Sequence, residues 1–174
     1  GIVKTNGTQT YTGAVTLGTD TSFVTNNSNI SFGSSIDAKA GVTSAPNLSF
    51  TAGNGDISVS GVIGSNSALG DITIVSAKDV TTNGITADDF TQLAGSGTST
   101  FNGVTNLTGK FDFTGTNLTV KAPMNIDGSA EITNSGLFTT SSSGDILAKD
   151  GFVQNGTGNN SLAGDITTEG NNIS

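Results

Sequence analysis

The sequence predicts an all-β fold, a β-solenoid in which short strands wind into coils of about 20 residues. Three observations lead to this prediction: a composition poor in helix formers, a short unit that recurs many times, and a spacing of about 20 residues between copies of that unit. Thr, Ser, Asn and Gly supply 28, 21, 18 and 25 of the 174 residues, whereas the chain has six Lys, no Arg, two Glu and one Met. Strands joined by frequent turns are therefore expected along the whole chain.

Charge and missing residue types exclude several classes of function. The net charge is −8, and the six lysines are isolated from one another, so no basic face for nucleic acid is expected. No apolar run approaches the ~20 residues that span a bilayer, so membrane insertion is not expected either. Disorder is disfavoured because the 33% of residues that are apolar are evenly distributed. A surface rich in Thr, Ser, Asn and Gly but poor in Lys and Glu favours an extracellular location.

The recurring unit is Asn or Asp, then Ile or Leu, then usually Ser or Thr. Four copies follow a glycine, which predicts a turn before a strand: Gly supplies positive φ, Asp or Asn bonds the local backbone, the aliphatic side chain points inward and the hydroxyl outward. The ten copies begin at Asn29, Asn47, Asp56, Asp71, Asn106, Asn117, Asn125, Asp145, Asp165 and Asn172, and the preceding glycines are Gly55, Gly70, Gly144 and Gly164.

Spacing identifies the repeat as the coil of a solenoid. In the C-terminal half the aliphatic positions Leu107, Ile126, Ile146 and Ile166 are 19, 20 and 20 residues apart, which predicts one interior column. In the N-terminal half Ile30, Leu48 and Ile72 are 18 and 24 residues apart, so the coil length is expected to vary there. Residues 1–174 are interpreted as one solenoid of eight or nine coils, about 40 Å long.

Individual elements follow from the alternation of apolar and polar residues. Strands are predicted at residues 47–52, 56–60, 71–75, 111–114 and 117–120, and segment 85–94 is interpreted as a loop or short strand rather than a helix. The nine Phe residues are expected to fill the interior, each stacking on Phe or Ile of the next coil. Neither end carries a helical or charged cap, so the chain is expected to be a fragment whose partners are neighbouring repeats, with self-association a further possibility.

The chain resembles the large, repetitive bacterial surface and secreted proteins of the filamentous-haemagglutinin-like, β-strand-repeat type. Residues 9–17, residues 47–57 and the later Gly-Asp-Ile units carry the resemblance, and together they cover most of the chain. The resemblance implies a right-handed parallel β-helix, exported by a Gram-negative bacterium, that forms the shaft of an adhesin or fibre. It brings no catalytic residues.

Candidate chemistry is sparse. With no His, Cys or Arg, the chain lacks the commonest acid–base, nucleophilic and anion-clamping groups, and the adjacent Asp88 and Asp89 would point to opposite faces of a strand. No enzyme activity and no obligatory cofactor are therefore expected. Calcium is the better hypothesis, because carboxylates at turns are hard ligands that coils could stack. Its candidate ligands are Asp56, Asp71, Asp145 and Asp165.

Two binding functions stay open beside a purely structural role. Ice binding would need regular outward Thr rows, but Thr-x-Thr pairs occur irregularly. Surface carbohydrate is a possible partner, although the chain has no Trp and a single Tyr, Tyr11. The function predicted first is a structural rod segment of a cell-surface or secreted adhesin or fibre, and the alternative is a carbohydrate- or Ca²⁺-binding module on the same scaffold.

Overall fold

Short strands follow one another along the chain, and each pairs in parallel with a strand about 21 residues away. The computed structural model describes all 174 residues and contains 23 strands and no helix, hence no helix that is long and apolar enough to cross a membrane. The strands line up into three parallel sheets wound around one interior, which makes a β-solenoid of about eight turns. The predicted fold class is confirmed.

Each coil contributes one strand to each of the three sheets, which we name A, B and C, except that one coil contributes only a single bridging residue to sheet C. Sheet A contains β1 (Ile2–Lys4), β4 (Thr21–Val24), β7 (Leu48–Thr51), β9 (Ile72–Ser76), β12 (Phe90–Gln92), β15 (Phe111–Gly115), β18 (Ala130–Asn134) and β21 (Phe152–Gln154). Sheet B contains β2 (Gln9–Tyr11), β5 (Ile30–Phe32), β8 (Ile57–Val59), β10 (Val80–Thr82), β13 (Thr98–Phe101), β16 (Asn117–Val120), β19 (Leu137–Thr140) and β22 (Asn159–Leu162).

Sheet C is the less regular face. It contains β3 (Val15–Leu17) and β6 (Ile36–Ala38), and then β11 (Ile85–Ala87), β14 (Thr105–Leu107), β17 (Met124–Ile126), β20 (Ile146–Ala148) and β23 (Ile166–Thr167). Between these two groups the ladder narrows to Ile63, which bridges Ile36 on one side and Ile85 on the other. Segment 85–94, which the sequence predicted to be a loop or short strand, forms two short strands, β11 and β12.

The interior is one continuous column of apolar side chains. Thirty-four buried hydrophobic residues form a single cluster, and all nine Phe belong to it, as predicted. Phe90 and Phe111 lie on adjacent coils of sheet A and stack with ring centroids 5.2 Å apart, while Phe101 from sheet B meets both rings edge-on. Offset stacks and edge-on contacts are the arrangements that aromatic rings prefer, so these contacts stabilise the packing of successive coils.

The column predicted from Leu107, Ile126, Ile146 and Ile166 is wrong in its register. Leu107 pairs with Ile126, but Ile126 pairs with Ala148, and Ile146 pairs with Met124 and Ile166. The four side chains therefore occupy two adjacent inward columns. The cause is corner length: three residues join β16 to β17, whereas five join β19 to β20. A shift of two positions changes the column but keeps the side chain facing inward.

In the N-terminal half the coil length varies, as expected, and the 24 residues from Leu48 to Ile72 are one coil, but the 18 residues from Ile30 to Leu48 are not. Ile30 lies in sheet B and pairs with Ile57, whereas Leu48 lies in sheet A and pairs with Ile72. The unit Asn/Asp-Ile/Leu-Ser/Thr begins strands on all three faces, so two successive copies need not be one coil apart. The long coils in this half come largely from residues 39–47, an excursion between β6 and β7.

Close approach of coils, rather than backbone conformation, explains the glycines before the Asp units. None of Gly55, Gly70, Gly144 and Gly164 has positive φ, so the predicted backbone conformation is wrong. The predicted turn before the strand does form at Gly55 and Gly144, whose N–H groups donate to the carbonyls three residues earlier. A Cβ on Gly55 would overlap the backbone of Ser28 in the preceding coil, and one on Gly70 would overlap Asn47. These glycines are therefore needed because a neighbouring coil occupies the space of a side chain.

This packing predicts that Gly55→Ala is strongly destabilising, because the backbone atoms of Ser28 cannot move aside as a flexible side chain would. We expect a loss of about 1–3 kcal/mol or more of unfolding free energy, measured by chemical denaturation followed by circular dichroism. Gly13→Ala is the matched control, since Gly13 has open space around its Cβ position and no positive φ. It should be neutral or slightly stabilising. Equal effects of the two substitutions would contradict the close-approach explanation.

Candidate binding surfaces

Corners between the sheets are held by Asn and Asp side chains that bond the next coil. We name the corners AB, BC and CA by the sheets that they join. Each side-chain oxygen accepts a hydrogen bond from a backbone N–H one coil further on, not from its own turn as the sequence suggested. At corner AB the acceptor–donor pairs are Asn29–Asp56 (2.9 Å), Asp79–Thr98 (2.7 Å) and Asn117–Leu137 (2.8 Å). At corner CA they are Asp20–Asn47 (2.9 Å), Asn47–Asp71 (2.8 Å) and Asp89–Lys110 (2.7 Å).

The four predicted calcium ligands lie at three different corners. Asp56 is at corner AB, Asp71 at corner CA, and Asp145 and Asp165 at corner BC. Only the last two are neighbours, and the Asp145 carboxylate accepts the backbone N–H of Asp165 at 2.9 Å. No three acidic side chains come together into a group that could hold a metal ion. The recurring Asp units therefore have a structural explanation, and calcium binding stays a prediction.

Asp71 lies in the most acidic surroundings of the four. It borders a groove of about 420 Å³ at corner CA, to which Asp88 also contributes. Burial raises the pKa of Asp71, and the charges of Asp89 and Asp88 raise it further. Asp88 accepts a hydrogen bond from the Thr108 hydroxyl at 2.7 Å, whereas Asp89 accepts one from the Lys110 backbone. The adjacent acids considered for catalysis, Asp88 and Asp89, thus accept hydrogen bonds from different residues.

Asp37 is a buried carboxylate that sequence reasoning did not find. It is only 4% exposed, because residues 65 and 66 of an irregular segment fold over it. Its carboxylate accepts hydrogen bonds from the Asn66 backbone at 2.8 Å, the Asn66 amide at 3.2 Å and the Ser65 hydroxyl at 3.2 Å. Burial raises the pKa of Asp37, but the hydrogen bonds outweigh burial and hold the pKa below its usual value. No sequence signal marked it, since its partners are nearly thirty residues away.

A continuous row of hydroxyl side chains runs along the outside of sheet B. Its members are the middle outward residues of successive strands and are exposed or half-buried, one per coil, with the strand spacing of about 4.8 Å. They are Thr10, Ser31, Ser58, Thr81, Thr100, Thr119, Thr139 and Ser161. Local Thr-x-Thr pairs could not reveal this row, because neighbours in it belong to different coils. Hydroxyl pairs across strands stabilise a sheet, which accounts for the row without a ligand.

Corner AB carries a second groove, of about 390 Å³, over four consecutive coils. Its lining is Leu93, Ala94, Gly95, Thr114, Gly115, Thr116, Thr133, Asn134, Ser135, Asn155, Gly156 and Thr157. No charged residue and no aromatic residue is among them. The sequence did not point to this groove, because its residues come from four corners that lie about twenty positions apart.

Comparisons with family models, with curated proteins and with solved structures find no match to this chain. The resemblance to filamentous-haemagglutinin-like proteins therefore stays a prediction. The fold, the corner ladders and the two grooves are the observations from which a function can be proposed.

The hydrogen bonds of Asp37 predict a pH-dependent contribution to stability. Because its folded pKa lies below the unfolded value of about 3.9, the contribution is present above that pH and is lost as pH falls through the folded pKa. At pH 7, Asp37→Asn should cost about 1–3 kcal/mol of unfolding free energy, and the difference from the native chain should shrink below about pH 4. Chemical denaturation across this pH range measures both. Exposed Asp150→Asn is the control, and a difference for Asp37→Asn that is independent of pH would refute the assignment.

Because the four candidate acids lie at three different corners, we predict that calcium does not stabilise the fold specifically. Adding millimolar CaCl₂ to metal-free protein should leave the thermal midpoint where NaCl of equal ionic strength leaves it. A site filled at one hundred times its dissociation constant would instead add about 2.7 kcal/mol. A saturable rise of the midpoint that disappears in Asp145→Asn would contradict this expectation and restore the calcium hypothesis.

Proposed function

We propose that the chain is a non-catalytic rod segment of a bacterial cell-surface or secreted adhesin or fibre, of the filamentous-haemagglutinin-like kind that its sequence resembles. The observation that carries the proposal is the continuous interior: one apolar cluster extends through about eight coils with no domain boundary. At a strand spacing of about 4.8 Å, eight coils give a shaft of about 40 Å. Such a body holds its two ends at a fixed distance, which is what a spacer must do.

Surface chemistry supports the same proposal. The outward rows carry mainly hydroxyl and amide groups, and the three ion pairs, Lys78–Asp79, Lys110–Asp112 and Lys149–Asp127, are all exposed. Exposed pairs contribute little to stability, so the shaft depends on its interior and its ladders rather than on charges that salt would screen. Independence from ionic strength suits an extracellular protein. The absence of His, Cys and Arg from the sequence supports a non-catalytic role.

Neighbouring coils of the same kind are the partners that we propose. The outermost strands of the three parallel sheets, except β21, which bonds residues 172–174, have one edge without a paired strand, and such an edge is a template for a further parallel strand. Val3, Leu162 and Ile173, in the outermost coils, are exposed apolar residues that such a coil would cover. Either the same chain or another copy could supply it.

A spacer predicts that one complete coil can be removed without loss of the fold. Deleting residues 99–117 joins Thr98 to Leu118, which occupies the same column as Ser99, so every inward column stays continuous. We expect a folded protein, shorter by about 4.8 Å, in solution scattering and circular dichroism. Deleting residues 99–116 instead turns inward side chains outward along the joined strand, and this control should unfold or aggregate. An unfolded in-register deletion would contradict the rod proposal.

A further inference from the structure

The groove at corner AB lies across the shortest corner of this face. Counted between residues that match in strand register, five residues span the corner from β12 to β13, three span it from β15 to β16, and four span each of the next two corners. The corner at Thr116 is therefore shorter than the corners on either side. Gly115 and Gly156 line the recess, and a side chain on Gly115 would clash with Phe113 and one on Gly156 with the Asn134 backbone. The groove thus follows from corner lengths, and it runs along the rod axis.

The recess presents hydrogen-bonding groups that the protein does not use. The hydroxyls of Thr114, Thr133, Ser135 and Thr157 make no hydrogen bond within the protein, whereas the Thr116 hydroxyl donates to the Gly95 carbonyl at 3.1 Å. One wall carries an apolar side chain, Leu93, which is 56% exposed. Unpaired hydroxyls therefore face the groove from three of its four coils.

An unsatisfied buried amide lies directly beneath the groove. Gln92 is 1% exposed, and its Nε2 has no hydrogen-bond partner, although its Oε1 accepts a hydrogen bond from the Ser99 hydroxyl at 2.7 Å. A Cβ on either Gly95 or Gly115, two glycines that line the groove, would meet this Nε2 atom. The amide thus lies on the interior side of these two glycines, next to the groove that they line. Buried donors without partners are uncommon in folded proteins, so this one marks the recess as unusual.

We propose that this groove binds a neutral oligosaccharide lying along the rod axis. Uncharged hydroxyls that both donate and accept hydrogen bonds match the hydroxyls of a sugar, and Leu93 offers an apolar surface for the C–H face of a sugar ring. The volume of about 390 Å³ is near the lower end of the range for small-ligand sites. This site would add recognition to the rod, and it does not depend on the rod's being a spacer.

Two other ligand classes fit the groove less well. An anionic glycan would meet no cationic side chain in the lining and would approach a chain of net charge −8. An extended peptide usually adds to a free sheet edge or inserts side chains into apolar pockets. Here the strands beside the groove are paired on both sides except at its end, where β21 and β22 are the last strands of their sheets, and Leu93 and Ala94 are the only hydrophobic lining residues. Without an aromatic platform, we expect dissociation constants of about a millimolar for the saccharide.

The test is a titration of the whole chain, labelled with ¹⁵N, with neutral oligosaccharides: cellotriose, chitotriose and maltotriose, each up to 20 millimolar (on the order of ten times the expected dissociation constant). We expect saturable amide shifts confined to residues 93–95, 114–116, 133–135 and 155–157. In Thr114→Val/Thr133→Val, which removes two hydroxyls but keeps the β-branched shape, the affinity should fall by about fivefold or more. The matched control is Thr100→Val/Thr119→Val in the hydroxyl row of sheet B, which should bind as the native chain does.

Separate arms use a sulfated heparin oligosaccharide and an uncharged extended hexapeptide. Saccharide shifts at the groove that the groove variant weakens and the control variant retains would support the proposal. It is overturned if none of the three saccharides shifts the groove amides, if the two variants respond equally, or if only the heparin fragment or only the peptide binds there. Scattering from the same samples reports the rod separately, so a failed sugar titration leaves the spacer proposal intact.

Discussion

Stacking of each coil on the next at the spacing of hydrogen-bonded strands is the constraint on which the structure depends. Coils lie about 4.8 Å apart, so a backbone group or side chain has a counterpart at the matching position in the coil above and in the coil below. Of 105 backbone hydrogen bonds, 58 are not within the strands, and most of these, such as that from the Lys78 N–H to the Gly55 carbonyl, also join one coil to the next. A single coil could satisfy neither set alone, which makes the solenoid cooperative between neighbours.

Because of this stacking, each kind of position in a coil requires a different type of residue. Inward positions must be apolar because they face their counterparts in the next coil, and Phe90, Phe101 and Phe111 show how rings from two sheets fill that space. Corner positions need an acceptor for the backbone N–H one coil away, which Asn29 and Asp79 supply. Gly55 stands where the preceding coil leaves no room for a side chain. The low-complexity composition is therefore the direct result of repeating one set of contacts.

Variation is concentrated at the corners and in sheet C, and the grooves arise at the corners. Residues 39–47 and the segment that covers Asp37 are excursions from the regular coil, whereas the short corner at residues 114–116 lies within the groove at corner AB. Strand positions cannot vary in this way, because a one-residue change would turn inward side chains outward. A solenoid can thus acquire a binding groove by changing corner lengths while its interior stays intact.

The sequence by itself determined the fold class, some strand positions, such as those at 47–52 and 117–120, and the inward direction of the aliphatic and aromatic residues, because alternation and turn chemistry are local properties. It did not determine register: Ile126 and Ile146 looked like one column, and Ile30 and Leu48 looked like one coil. Only the tertiary structure decided which face each strand joined, since the same Asn/Asp unit opens strands on all three sheets. It also decided where the groove lies and what Asp37 contacts, because those neighbours are brought together by stacking across twenty or more residues rather than by adjacency along the chain.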